Sequence, residues 1–370
     1  MAPGLIERRR NTLPPRAHPS PSARALALHR RLTIVDLHAD SLLWDRDLDR
    51  RAERGHVDVP RLIEGHVAIE GFGVVTAAPW GLNVSRNADR WDMITPLVIA
   101  ERWPPRTWRS RRERALFQAR KLQDAADRSQ GRLTLLRTRA GLQRYLARRE
   151  GEPDITAGLL GLEGAQALEG DLAAIDRLFA AGFRMIAPTH FFDTPWAGSA
   201  HGVDKGGLTA PGRALVRRLE QRRILLDLAH ASPRAIDDAL AMATRPVVVS
   251  HTGVKGTCDN LRNLSDAELR GVARTGGLVG IGFWDGPRDG SAVCGSDAAA
   301  VARAIRYAAG VAGIDHVALG SDWDGTVAQP FDAAGLVELT DALLAAGFSD
   351  ADVTKVMGGN AVRLLSTALP

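Results

Sequence analysis

The sequence predicts an α/β fold of the TIM (β/α)8 type, a barrel of eight parallel strands with a helical insertion after strand 2. Three observations support this fold class. Eight short apolar runs contain the β-branched residues and glycines that are typical of buried strands. Stretches of helical periodicity separate most of these runs, which favours a parallel sheet. The length of 370 residues suits such a barrel, although two or three domains of about 150 residues fit it equally well.

The predicted strands follow one another along most of the chain. They cover residues 32–39, 67–78, 156–165, 183–190, 224–231, 246–253, 278–284 and 316–324. Two of the helical stretches between them, SPRAIDDALAMA and SDAELRGVARTG, begin with Ser as an N-cap, and the second has a Ser-x-x-Glu capping box. We therefore expect the barrel domain to extend over residues 23–370.

The first 22 residues differ in composition from the rest. They carry an early RRR run followed by Pro, Ser and Ala, and they lack the apolar core of a signal peptide. This composition predicts a flexible N-terminal tail over residues 1–22 and a cytoplasmic location.

Residues 79–155 interrupt the alternation of strands and helices. This insertion holds Trp91, Trp103 and Trp108 and an Arg-rich helical stretch. Because it follows a strand, it starts at the C-terminal face of the barrel, where it would form a lid or a pocket wall. A helical pair packed on the side of the barrel explains the same pattern.

Charge and cysteine content exclude several classes of protein. The formal charge is +5, but arginines and acidic residues alternate through residues 101–150, which favours a solvated helical face over a nucleic-acid site. No apolar stretch approaches the roughly 18 residues of a membrane span, so no membrane partner is expected. Cys258 and Cys294 are too few for a disulfide scaffold or a Cys-rich zinc module, and their pairing stays open.

The chemistry-bearing residues concentrate at the ends of predicted strands. These positions hold four of the ten histidines and three acidic residues: His38, His190, His230, His251, Asp40, Glu163 and Asp322. Barrel enzymes build their sites at this face. The remaining histidines, among them His201 in a loop, do not fit this pattern.

The spacing of these residues predicts a metal site. His38 and Asp40 share one face of a strand and can chelate one divalent ion, with Asp36 behind them. His230 and His251 end consecutive strands about 4.8 Å apart, so both rings can reach one ion. A single ion fits these four ligands, whereas Glu163 adds a carboxylate that can bridge two. Nitrogen and oxygen ligands without thiolate suit Zn²⁺ and tolerate Mn²⁺ or Co²⁺.

Asp322 lies in GSDWDG, at the end of the last predicted strand. A free carboxylate beside a metal-activated water can move protons, so we expect a proton shuttle there. A metal ligand or a helix N-cap is the alternative for this residue. Asp324 is expected to be structural.

The sequence resembles the membrane (renal) dipeptidase family, peptidase family M19 of the amidohydrolase superfamily, from about residue 32 to 366. The matching segments, in chain order, are VDLHADSLLW, GLEGAQALEG, MIAPTHFFDTPWAGS, LLDLAHAS, VVVSHTGVKGTCDNLRNLSD, ALGSDWDG and VMGGNAVRLL. The sequence departs from the pattern of the mammalian members in two places, the segment GFWDGPRDGSAVC and the longer insertion over residues 79–155. For this reason the resemblance does not predict the substrate preference.

The resemblance implies a role for each matching residue. His38 and Asp40 would hold one zinc ion, His230 and His251 a second, with Glu163 as the bridge. His190 is similar to the residue that contacts the substrate carbonyl, Arg262 to the one that binds the substrate carboxylate, and Asp322 to the proton-transfer acid. A surface ion pair is the alternative for Arg262. Cys258 and Cys294 fall where mammalian members have a disulfide.

The leading interpretation is a zinc metallo-dipeptidase with two Zn²⁺ per chain and a small dipeptide substrate. By resemblance it would tolerate a D-residue at the C-terminal position. Another metal-dependent amidohydrolase, acting on lactones, N-acyl amino acids or phosphoesters, is the first alternative. A non-catalytic anion-binding protein is the second. The sequence does not decide whether the chain forms a homodimer.

Overall fold

A computed structural model describes residues 3–13, 20–286 and 290–370. Within these residues the chain forms nine parallel strands. They are β1 (Ile34–Ala39), β2 (Val67–Val75), β3 (Leu133–Leu135), β4 (Thr156–Glu163), β5 (Phe183–Ile186), β6 (Leu225–Leu226), β7 (Val248–Thr252), β8 (Leu278–Ile281) and β9 (Val317–Leu319).

Eight of these strands form a ring in chain order. Neighbours along the sheet run β6-β5-β4-β2-β1-β9-β8-β7, and a parallel bridge between Asp227 and Val248 joins the two ends. Every residue of β1 and β2 is buried, as expected for parallel strands covered on both faces. The prediction of a TIM (β/α)8 barrel is confirmed.

Helices connect the strands and cover the outside of the barrel. They are α1 (Pro3–Arg10), α2 (Ala23–His29), α3 (Val59–Glu64), α4 (Ile94–Ala100), α5 (Arg111–Arg128), α6 (Arg139–Gly151), α7 (Ala174–Ala181), α8 (Ala210–Arg222), α9 (Pro233–Met242), α10 (Asp266–Arg274), α11 (Ala298–Ala312), α12 (Val337–Ala345), α13 (Asp350–Thr354) and α14 (Asn360–Ala368). Helix α10 begins at the predicted capping box, in which Ser265 and Glu268 cap each other's backbone N–H groups.

The insertion between β2 and β4 divides into two parts. Helix α5 packs its buried small and apolar residues, such as Ala115 and Leu122, on the side of the barrel. The stretch before it stays at the C-terminal face, where the Val84 carbonyl contacts His201. The insertion also contains β3, which pairs with β4 outside the ring and which its helical pattern does not predict. The stretch before α5 therefore agrees with the interpretation as a pocket wall, and α5 agrees with the interpretation as helical packing on the side of the barrel.

The predicted N-terminal tail is only partly described. Residues 1–2 and 14–19 lie outside the described residues. The described part differs from a flexible tail, because α1 carries Glu7 into the protein, where its carboxylate forms ion pairs with Arg46 and Arg54. The division into a tail over residues 1–22 and a catalytic domain over residues 23–370 stays a prediction.

Candidate metal centre

Two of the expected ligands lie at the C-terminal end of β1. His38 belongs to the strand and Asp40 follows it, and Nε2 of His38 lies 3.3 Å from Oδ1 of Asp40. Gly73 on β2 leaves room for both side chains, because a Cβ at that position would come within 2.5 Å of the His38 ring and 2.6 Å of the Asp40 carboxylate. Asp36 accepts hydrogen bonds from the N–H and hydroxyl of Ser321 (2.8 and 2.7 Å), so it fixes the loop after β9.

Glu163, the last residue of β4, lies among four imidazoles. Its Oε1 is 3.0 Å from Nε2 of His230, 3.3 Å from Nε2 of His190, 3.4 Å from Nε2 of His251 and 3.7 Å from Nε2 of His38. Burial and nearby negative charge raise the pKa of this carboxyl well above its ordinary value. The position of Glu163 suits a carboxylate shared between two ions.

His230 and His251 come from neighbouring parts of the barrel, and their Nε2 atoms lie 3.0 Å apart. His251 belongs to β7. His230 follows β6 by four residues, because the regular strand within the predicted range 224–231 covers Leu225–Leu226 and ends there. Beyond them the Asp227 carboxylate accepts hydrogen bonds from the N–H groups of Ala229 and Ser250, which shapes a turn and aims the imidazole of His230 inward.

Burial sets the protonation of these imidazoles. It lowers the pKa well below the ordinary value in three of them, His190, His230 and His251, so each ring nitrogen lone pair is free to bind a cation. Burial also lowers the pKa of His38, but neighbouring carboxylates, first of all Glu163, outweigh it and raise the pKa to about 10. A cation at this place would displace that proton.

The cluster fits a metal ion. Within the described parts of the chain, Nε2 of His38, Oδ1 of Asp40, Oε2 of Glu163 and Nδ1 of His230 are buried without a hydrogen-bond partner. Such groups are costly to bury unless something binds them.

The donor atoms also form overlapping sets, in each of which they lie within 4.8 Å of one another: His38–Asp40–Glu163, Glu163–His190–His230 and His38–His251–Asp322. The first two sets share Glu163, which supports a bridging role for its carboxylate. His190, expected to contact substrate, belongs to the second set and is therefore also placed to bind a metal.

Asp322 lies beside this cluster on the loop after β9. The strand ends at Leu319, and a left-handed backbone (φ 61°) turns Asp322 inward, with its N–H donated to the carbonyl of His38 (3.0 Å). Burial, reinforced by the charge of Asp40, raises its pKa to about 8. A carboxyl group with this pKa can both accept and release a proton near neutral pH.

Arg262 lies at the edge of the same pocket. It is 6% exposed, its guanidinium donates to the carbonyl of His251, and it lies 5.8 Å from the ring of Trp284. Burial lowers its pKa to about 10, so the side chain remains a cation at neutral pH. Among the described residues, the carboxylates of Asp322, Glu163 and Asp227 act on Arg262 through their charge, and none accepts a hydrogen bond from it. The alternative of a surface ion pair is wrong for this buried side chain.

His201 belongs to the pocket although its loop position did not suggest it. The side chain is 1% exposed, and its ring centroid lies 4.9 Å from that of Phe191 and 5.2 Å from that of His230. Burial and the charge of Arg262 lower its pKa to about 3. A sequence pattern could not reveal this placement, because the loop is held by distant residues such as Val84.

Cys258 and Cys294 form a disulfide with a Cα–Cα distance of 5.3 Å. It joins the segment after β7, which carries Arg262, to the segment after β8, which carries Trp284. The disulfide therefore ties together two walls of the pocket.

Comparisons with known proteins agree with this architecture. Residues 22–369 match the family model described as membrane dipeptidase, peptidase family M19. A protein from Klebsiella pneumoniae, described as an uncharacterized protein in the pqqA 5' region, is 31% identical over 251 residues, which is 64% of this chain and 89% of its own length.

Two solved structures are also similar. One is a dipeptidase AC described as a metallopeptidase of family M19, at 27% identity and a TM-score of 0.72, covering 91% of this chain and 99% of its own. The other is a metallopeptidase from Rhodobacter sphaeroides with a phosphinate mimic of the dipeptide L-Ala-D-Ala, at 25% identity and a TM-score of 0.74, with the same coverage. In the described part of the chain, no helix combines the length and the apolar character needed to cross a bilayer.

Proposed function

The chain belongs to the membrane dipeptidase family, peptidase family M19, and is a metal-dependent enzyme that hydrolyses peptide bonds; on this premise we propose that it is a binuclear zinc dipeptidase. The observation that carries the proposal is the convergence of His38, Asp40, Glu163, His230 and His251, whose donor atoms lie a few ångströms apart. Glu163 would bridge the two ions.

When bound, the two ions supply an acidified water and polarise the scissile carbonyl. Asp322 accepts the proton of the attacking water and delivers it to the leaving amine, a role that its pKa of about 8 permits. His190 lies 3.3 Å from Glu163 and orients the scissile carbonyl. A single deletion of such a contact costs about 3–4 kcal/mol in other enzymes.

Arg262 sets the size of the substrate. Among the described residues, no carboxylate accepts a hydrogen bond from its buried guanidinium, and its planar fork matches the geometry of a carboxylate. A substrate whose free C-terminus lies one residue from the scissile bond satisfies this group. A dipeptide therefore fits better than a protein, and a lactone or a phosphoester leaves Arg262 unpaired.

The proposal includes tolerance of a D-residue at the C-terminal position. The similar metallopeptidase from Rhodobacter sphaeroides supports it, because that structure holds a mimic of L-Ala-D-Ala.

The test is a substrate panel with zinc-loaded protein and measured metal content. We expect turnover of L,L and L,D dipeptides and at least roughly 100-fold lower kcat/KM for lactones and phosphoesters, which lack the amide. N-acyl amino acids keep the amide and the carboxylate and lack only the terminal ammonium, so the panel compares them with dipeptides directly. Absence of dipeptide turnover by protein holding two zinc ions per chain would contradict the proposal. Faster turnover of any other class would favour the corresponding amidohydrolase.

Location and assembly stay predictions. The Cys258–Cys294 disulfide is the observation against a cytoplasmic location, because disulfides are rare in reducing compartments. Fractionation of cells together with thiol alkylation tests the location. Sedimentation of the zinc-loaded protein tests the homodimer.

A further inference from the structure

His201 is held at the pocket from two sides. The N–H of Ala200 donates to the carbonyl of His230 (2.8 Å), which anchors the loop to the metal-ligand segment. On the other side, the backbone N–H of Asn87 donates to the carbonyl of His201 (2.7 Å). The loop therefore connects the insertion to the candidate metal centre, and its histidine is fixed between them.

The contacts of His201 determine which ring nitrogen carries its proton. Nδ1 lies 2.6 Å from the carbonyl oxygen of Val84. Because a carbonyl can only accept, Nδ1 must donate, and Nε2 of the neutral ring is left with a lone pair. Nε2 is buried and has no hydrogen-bond partner among the described residues. An unsatisfied acceptor in such a place is costly, which points to a ligand that donates to it.

The surroundings of His201 indicate which donor fits. The ring of His201 lies 5.2 Å from that of His230, whose Nε2 is 3.0 Å from Nε2 of His251. The carbonyl of His251 accepts a hydrogen bond from Arg262, so the acceptor lies in the part of the pocket that receives the substrate carboxylate. A carboxylate has no hydrogen to donate. The nearest donor in a dipeptide is the peptide N–H, which is separated from that carboxylate by one carbon atom. The terminal ammonium is farther from that carboxylate, because it lies beyond the scissile carbonyl.

We propose that Nε2 of His201 accepts a hydrogen bond from the peptide N–H of the bound dipeptide, which makes His201 a specificity-determining residue that selects amides over esters. This inference rests on the proposed dipeptidase function. The interaction holds the C-terminal residue in one orientation between Arg262 and the scissile bond. It also rejects substrates that lack an N–H, because they leave a buried acceptor unpaired.

Two substitutions distinguish the role of Nδ1 of His201 from that of Nε2. In His201→Asn, the side-chain amide can donate to the Val84 carbonyl in place of Nδ1, but no acceptor reaches the position of Nε2. In His201→Gln, the longer side chain carries an acceptor near the position of Nε2. Each variant is assayed on a dipeptide and on the matching depsipeptide, in which an ester oxygen replaces the peptide N–H.

We expect His201→Asn to lower kcat/KM for the dipeptide by roughly 10- to 100-fold, as removal of one buried hydrogen bond does, and to change kcat/KM for the depsipeptide by less than about 3-fold. His201→Gln should keep more dipeptide activity than His201→Asn. If the ester is not turned over, its inhibition constant against the dipeptide replaces kcat/KM and should be insensitive to the substitution.

An equal loss on both substrates, or no loss on either, would overturn the inference. Zinc content and melting temperature of each variant show whether the centre and the fold are intact. The proposed function fails separately, because its failure appears as absent dipeptide turnover in the wild-type protein. Normal wild-type turnover with an unchanged amide-to-ester ratio in His201→Asn refutes the role of His201 alone.

Discussion

Asp322 and Asp324 are two residues apart, and both adopt a left-handed backbone (φ 61° and 64°), yet they enter opposite environments. The Asp324 carboxylate accepts hydrogen bonds from the hydroxyl of Ser41 (2.6 Å), the guanidinium of Arg46 (2.5 Å) and the N–H of His56 (2.6 Å). Burial raises its pKa, but Arg46 and its other partners outweigh this effect and lower it. Within the described residues, no hydrogen bond reaches the Asp322 carboxylate, and its pKa rises to about 8.

The difference shows how buried charge distinguishes a structural cluster from a site. Around Asp324 the chain supplies its own cation and donors, so nothing further needs to bind. Around Glu163 the chain supplies carboxylates, three neutral imidazoles and the protonated ring of His38, with several polar atoms unpartnered among the described residues. A cation from outside would give the unpartnered atoms of the second arrangement the partner that the chain does not supply.

The largest effect is expected at Asp322. Asp322→Asn keeps the shape of the side chain but cannot move a proton, so kcat should fall by roughly 10²- to 10⁴-fold. Zinc content should stay unchanged, because the shuttle is not required to hold the ions. Near-wild-type kcat would refute the shuttle, and loss of zinc would make Asp322 a metal ligand instead.

The matched substitution Asp324→Asn should act on stability. It leaves the buried guanidinium of Arg46 with Glu7 as its remaining carboxylate partner in the described structure. Because Glu7 still compensates the charge, the cost should be about 3 kcal/mol, the lower end of the range for removing one partner of a buried ion pair. Urea unfolding measures this loss. Zinc content per folded chain should be retained, and its loss would erase the distinction between the two aspartates.

His29 extends the comparison to a histidine that the chain satisfies internally. Nδ1 lies 2.8 Å from the hydroxyl of Thr340 and Nε2 lies 3.1 Å from the carbonyl of Gly65, and burial lowers the pKa from 6.5 to about 4. The unfolded chain binds a proton at His29 more readily than the folded protein does. The free energy of unfolding is therefore not reduced by His29 above pH 6.5. It should decrease by about 3 kcal/mol as the pH falls to 4.

The measurement is the free energy of unfolding across this pH range for the wild type and His29→Gln. The variant cannot take up the proton, so its curve should lack that part of the acid loss. Parallel curves for the two proteins would contradict the assignment.

Arg262→Ala tests the buried cation that donates no hydrogen bond to a carboxylate of the described residues. It should raise KM for dipeptides with a free C-terminus and lower kcat/KM roughly 30- to 150-fold. This factor corresponds to a loss of about 2–3 kcal/mol in transition-state binding free energy. Amidated dipeptides present no carboxylate and should lose little. An equal loss on free and amidated substrates would contradict the proposed role.

The sequence predicts the barrel and the positions of its strand-end residues because both depend on local pattern. Apolar runs indicate the strands, and a barrel brings their C-terminal ends together, so His38, Glu163 and His251 could be placed in advance. Alternation does not separate Asp324 from Asp322, because residues two apart share one face of a strand. The left-handed backbone after Leu319 is what sends the two carboxylates into different surroundings.

Other features depend on contacts that no local pattern carries. Strand β3 is three residues long and lies beyond a long helix, so its pairing with β4 is a tertiary effect. His201 reaches the pocket through a hydrogen bond to Val84, 117 positions away. Helix α1 is held against the rest of the protein by the ion pair between Glu7 and Arg46, which composition alone does not predict.

The metal content of the wild type and of Glu163→Gln tests the central claim most directly. We predict two zinc ions per wild-type chain by elemental analysis and the loss of both together in the variant, because one carboxylate serves both ions. A wild-type protein that retains no zinc after loading would contradict the account. Two zinc ions per chain in Glu163→Gln would equally contradict it.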